Sequence, residues 1–205
     1  METQNGLTHA SQPDWRAVAI WTAAVVVFLA GVAFLAAVGI DLDRIARDSN
    51  ETTDAPIETG ALSRVGLVLW GGAAVSAALV ALIADDKETR WMFGLLALGL
   101  AGLGLDDALL IHEVVIPEFG VPEKLVLAIW AVLAGLWLAR YATRIRGANR
   151  TLGVLALGAF AASLAVDVLA HKEWLEDVFK TIGVATLIAI LAAELRATVG
   201  DLDRA

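Results

Sequence analysis

No cysteine occurs in the 205 residues, which excludes disulfides, thiolate metal ligands and thiol nucleophiles. Charge is scarce as well. Asp, Glu, Lys and Arg make up 19% of the chain, where soluble domains carry about 25%. There is no phosphate-cradling Gly-rich loop, no Gly-x-Ser-x-Gly elbow and no dinucleotide fingerprint, so the enzyme classes built on those motifs have no support. Period-2 alternation of polar and apolar residues is missing too, which argues against a membrane barrel.

Apolar residues fill the space that charge leaves. They amount to 59% of the chain, and the mean hydropathy is +0.72. Six long apolar runs cover 15–40, 65–84, 91–115, 124–142, 151–170 and 178–197. A helix needs about 20 apolar residues to cross a hydrocarbon core of about 30 Å. In lipid a helix satisfies its own backbone, so each run is read as a span. The expectation is an all-α polytopic membrane protein with six transmembrane helices arranged as three helical hairpins. Residues 1–14 form a polar tail, 15–197 a single transmembrane domain with an acidic loop at 41–64, and 198–205 a second polar tail. The leader METQNGLTHASQPDWR is too long, polar and acid-bearing for a signal peptide, so the first run is taken as a retained span.

Basic residues orient the spans. Lys87 and Arg90 fall in one short connection, and Arg140, Arg144, Arg146 and Arg150 in another. By the positive-inside rule those loops and both termini are cytoplasmic, which makes this a multi-pass protein of the cell or inner membrane. The opposite face carries 15 acids against six bases, about −9, while the arginine-bearing side is near +1. That acidic surface attracts cations. The 140–150 arginines suit anionic lipid, not nucleic acid.

One stretch of the third run breaks the apolar pattern: GLDDALLIHEVV, residues 104–115. Asp106 and Asp107 come about 22 Å along a helix from Trp91, near the outer hydrocarbon boundary. Charge placed there is costly, and ionisable residues within spans mark functional sites by default. Asp106 and Glu113 differ in direction by about 20°, whereas Asp107 and His112 point elsewhere, so other helices must complete any site. The fifth run supplies Asp167 and His171, four apart on one face, a chelating spacing. An offset of 60 aligns Asp107 with Asp167 and Glu113 with Glu173, with a weaker echo at 39–48, which suggests related hairpins. Repeat interfaces are common sites in membrane proteins. Glu176 and Lys180 have the i,i+4 spacing of a helix ion pair. Gly99, Gly102 and Gly104 prepare a close helix approach.

Asp106, Asp107, His112, Asp167 and His171 are therefore the expected ligands of a divalent cation (zinc, manganese or iron), or members of a proton relay. Glu113 is the candidate general base. Three function classes fit. One is a metal-binding or proton-relaying membrane protein. Another is a metal-dependent membrane hydrolase or oxidase acting on a lipid-borne substrate. The last is a structural subunit of a homo-oligomer or larger membrane complex, with membrane lipid as the constant partner. Metal analysis of detergent-purified protein separates them: the metal classes expect a stoichiometric ion that is lost in His112→Ala and His171→Ala.

Overall fold

A computed structural model describes residues 61–109, 111–145, 148–170 and 172–202, with residues 26, 29, 30, 32–34 and 36–39. Among the described residues there are five long helices and no strand: α1 Ala61–Ile83, α2 Lys87–Ala108, α3 Glu123–Tyr141, α4 Ala148–Ala170 and α5 Glu173–Leu202. All five are long and apolar enough to cross a membrane. The protein is thus an all-helical, multi-pass membrane protein. Most of the first apolar run and residues 41–60 of the acidic loop lie outside the described residues, with both polar tails except the 198–202 segment that ends α5; residues 61–64 of that expected loop are the first turn of α1.

α2 starts and stops for local reasons. The Asp86 side chain caps α2 by accepting the Thr89 backbone N–H at 2.8 Å. Hydrogen bonding to Thr89, first from its side chain and then from this N–H, favours the carboxylate and lowers the Asp86 pKa from its ordinary value. At its far end α2 gives way to a π turn, Ile111–Val115, closed by the Ile116 N–H on the Ile111 carbonyl at 2.8 Å. A 3-10 turn, Pro117–Phe119, follows and ends at Gly120 with φ +80°, a left-handed conformation that suits glycine. Successive helices alternate in direction. One end of the bundle gathers the ends of α2 and α4 and the starts of α1, α3 and α5; it is called the acidic end here. The other, with Arg140 and Arg144, is the arginine end.

α1 is the central helix and packs between α2 and α5, and α4 lies along α5. It earns that place with a face of small residues. Ala73, Ala77 and Val80 have no exposed surface, and Gly66, Ala74 and Ala81 share their side. Lipid tails are as apolar as leucine, so helices in a membrane associate through close packing and polar contacts. Three aromatic–glycine seats set the approach. A Cβ on Gly104 would stand 2.9 Å from the Cβ of Trp70, and one on Gly102 would stand 2.7 Å from the Trp130 ring. The third is Gly183 of α5, where a Cβ would stand 2.9 Å from the Phe160 ring. Trp70 also stacks on Phe160 of α4, with ring centroids 5.7 Å apart.

The close neighbours in sequence are α1 with α2 and α4 with α5; α2 meets α3 along a much thinner contact. The fifth and sixth runs thus form one close hairpin, while the third and fourth are in thinner contact. α5 also begins earlier than its apolar run, because Glu173, Glu176 and Asp177 sit in its first turns and not in a loop. At 30 residues it extends about 45 Å, longer than the hydrocarbon is thick.

Gly104→Ala sets a methyl against the fixed Cβ of Trp70 and is expected to destabilise the protein by about 1–3 kcal/mol. Gly99→Ala has nothing within 4 Å of the added carbon and is expected to change stability by less than about 0.5 kcal/mol. Unfolding of both variants in detergent micelles checks the pair.

Candidate functional site: two carboxylates on two faces

Asp106 and Asp107 are consecutive residues near the end of α2, so their side chains leave the helix about 100° apart. Each finds a different helix. Asp106 turns to the side of α3 and is 4% exposed. Its Oδ1 accepts the backbone N–H of His112 at 2.9 Å, and its Oδ2 accepts the indole Nε1–H of Trp130 at 2.9 Å. The imidazole Nδ1 of His112 stands 3.1 Å from the same Oδ2, close enough for a charge contact though not aligned as a hydrogen bond. The π turn makes this possible: it brings residue 112 back over the end of the helix that carries residue 106. Helix, turn and α3 thus converge on one buried carboxylate.

Asp107 faces α5. Its Oδ1 accepts from the Lys180 ammonium at 2.9 Å. Glu176 and Asp177 reach the same ammonium at 3.2 and 3.6 Å. The i,i+4 pair expected from sequence is present, and it is part of a larger cluster in which three carboxylates surround one cation. The members are each about one-fifth exposed, so the cluster borders water at the acidic end. Two interhelical links to α2, one from α3 and one from α5, are made by adjacent residues.

The candidate ligands are therefore not assembled as one set among the described residues. Asp106 and His112 meet. Asp107 is held by Lys180, whose Nζ occupies the position between carboxylates that a metal ion would take. Asp167 stands half-buried on the last turn of α4. His171 and the Glu113 side chain lie outside the described residues. No group of three His, Asp or Glu side chains converges as a metal site among the described residues. The physical reason is the angular offset of neighbouring helix positions, which sends Asp106 and Asp107 to opposite partners.

Sequence reasoning missed two members. Trp130 reads as a packing residue, yet its N–H is the donor that α3 gives to Asp106. Lys180 reads as the partner of Glu176 alone, and it also ties α5 to α2. The spacing of Trp130 and Trp137, seven apart on one helix face, was the available signal. Trp137 repeats the pattern towards the arginine end by donating its Nε1–H to the Met92 carbonyl at 2.9 Å. At the arginine end Glu88 receives Arg140 at 2.5 Å and also Arg144. Glu194 accepts from Asn149 of α4 at 2.5 Å, an interhelical bond.

A family profile described as a domain of unknown function (DUF8692) matches residues 17–194, and the chain belongs to that family. No curated protein and no solved structure matches the chain.

Lys180→Met strands three carboxylates at the edge of the bilayer. It is expected to destabilise the protein by about 2 kcal/mol, less than a fully buried pair because water reaches the cluster. Adding Asp107→Asn to Lys180→Met is expected to recover part of that loss. Denaturant unfolding of the single and double variants in micelles measures the coupling.

Proposed function

We propose that the protein is a membrane-embedded proton-exchange protein whose working pair is Asp106 and His112. The observation that supports this most directly is the 3.1 Å contact between the His112 Nδ1 and the Asp106 carboxylate, inside a helical bundle at a level where charge is expensive. Imidazole is the side chain whose charge changes nearest neutral pH, and carboxylate–histidine chains are the usual material of proton relays. Here Asp106 accepts a proton or shares one with His112, and in its carboxylate form it is held in orientation by the Trp130 and His112 N–H donors. Glu113, the next residue in the chain, is the candidate to exchange protons between the pair and water.

The Asp107–Lys180–Glu176–Asp177 cluster serves a different purpose. It fixes α5 against α2 and lends the mouth of the site a net negative field that concentrates protons and cations. The distribution of arginine and lysine supports an extracytoplasmic mouth, with both termini in the cytoplasm. Towards the arginine end, α1, α2 and α5 pack through Ala77, Val80, Phe93 and Leu191, an apolar stretch that favours exchange with one face over a through-going path.

A metal-bound form of the same site is the second reading. The Asp106–His112 contact also favours it, since a histidine ligand usually has its other ring nitrogen held by a carboxylate. In that form His112, with Asp167 and His171, holds a divalent ion, and Glu113 acts as general base on water, the arrangement of a metal-dependent membrane enzyme.

The Trp130 indole is a built-in reporter. In protein labelled with 15N-indole tryptophan, the resonance lost in Trp130→Phe is expected to titrate between about pH 5 and 8, where imidazole changes charge. The titration should vanish in His112→Ala. A Trp130 resonance that stays fixed over that range excludes the proton reading. A stoichiometric metal whose removal shifts the same resonance selects the metal reading instead.

A further inference from the structure

α3 is attached to the bundle differently from the other helices. Its contact with α2 is a single stripe: Val126, Trp130, Trp137 and Tyr141, spaced 4, 7 and 4 residues apart on one face. Val126 and Tyr141 are buried, and the two tryptophans are half-buried. The remaining faces carry Ile129, Val132, Leu133 and Leu136, each more than half exposed. In a bilayer those faces meet lipid, and lipid also competes for the apolar part of the stripe. Apolar contact therefore does little to hold α3 on α2. The polar hooks decide.

There are three such hooks, spread along the helix. Trp130 donates to the Asp106 carboxylate at 2.9 Å, Trp137 donates to the Met92 carbonyl at 2.9 Å, and Arg140 pairs with Glu88 at 2.5 Å. The last two lie towards the arginine end and have no dependence on Asp106. The first is the outermost hook, and its acceptor is an ionisable group. Beyond it, towards the acidic end, the chain runs into the turn formed by Pro117–Phe119, Gly120 and Pro122, which carries no further hook to α2 among the hydrogen bonds and ion pairs of the described residues.

We infer that α3 is a latched helix, hinged at its arginine end by Trp137 and Arg140 and held shut at its acidic end by the Trp130–Asp106 hydrogen bond, so that losing the carboxylate acceptor swings this end away from α2. The motion uncovers the Gly102 seat and the Asp106 carboxylate to the side of the bundle. The carboxylate form is required because Asp106 serves two N–H donors at once, His112 on Oδ1 and Trp130 on Oδ2. An amide keeps one oxygen for two donors. The His112 bond is local to the turn and survives; the bond across to α3 is the one forfeited. This inference goes beyond the proton-exchange reading and stands on the hook geometry alone, whichever chemistry changes the carboxylate.

Other groups near this latch do not substitute for it. Asp107 and Lys180, with Glu176 and Asp177, are committed to the α2–α5 link on another face. Arg64 lies near the start of α1, and Glu123 and Lys124 at the start of α3, where they border the exposed turn.

The absence of native cysteine makes the test direct. Val68→Cys on α1 and Leu125→Cys at the acidic end of α3, both at exposed positions, carry paired spin labels in the otherwise unaltered full-length protein in lipid nanodiscs. Pulsed electron resonance then reads their separation. With the latch intact one distance is expected to dominate. Asp106→Asn and Trp130→Phe, the latter keeping a ring over Gly102, should each raise a longer-distance population by about three- to twenty-fold, as expected for one interhelical hydrogen bond. Trp137→Phe should leave the acidic-end distance unchanged. Unaltered distances in Asp106→Asn and Trp130→Phe, or a change in only one of them, overturn the latch.

Discussion

The acidic end of this bundle is organised around a single buried carboxylate. Asp106 cannot remain in the bundle as an uncompensated charge, and its two oxygens are satisfied by donors from two different pieces of chain. One is the His112 backbone N–H, which a continuous α-helix would have directed along the helix axis. The π turn redirects it. The other is the Trp130 indole, which fixes the rotation and depth of α3. A cost at one residue thus dictates the end of α2, the turn after it and the docking of the next span. Moving the carboxylate by one position would assign it the environment of Asp107, which belongs to a different helix pair.

The second organising principle is division of labour among helices. α1, α2 and α5 form a closely packed centre through alanine, glycine and valine, and α4 backs α5. This part needs little polar help because small side chains let backbones approach closely. Hydroxyls within it return to their own helix: Ser76 to the Gly72 carbonyl and Thr186 to the Ile182 carbonyl. α3 is the exception. It holds on by indole and guanidinium groups, which is why the two tryptophans of its inner face carry more meaning than their hydrophobicity suggests.

Charge is divided in the same spirit. The Lys180 cluster at the acidic end and the Glu88–arginine cluster at the other close the two ends of the bundle with ion pairs that border water. Between them, Asp106 is the one charged side chain that is buried among the described residues, and the other buried polar side chains are the hydroxyls of Ser163, Thr181 and Thr186. The Asp106–His112 contact and the Lys180 cluster thereby lie at the same end, within a helical turn or two of each other.

The class of the protein was legible in the sequence because it follows from length and hydropathy, and these act residue by residue. Runs of about 20 apolar residues in a chain with 19% charge can only be spans, and the boundaries of α3 and α4 fall within a few residues of their runs. The stretch 104–115 announced itself for a similar reason, since the cost of charge in lipid does not depend on partners. What the sequence by itself could not determine was who those partners are. Asp106 and Asp107 read as twin ligands in one dimension, and only the 100° step between them, with α3 on one side and α5 on the other, separates a buried hydrogen-bond acceptor from a member of an ion-pair cluster. The tertiary structure decided that Trp130 is a donor and Lys180 a bridge, because hydrogen bonds and ion pairs depend on the relative rotation of helices 24 and 73 residues apart in the chain, which no local pattern encodes.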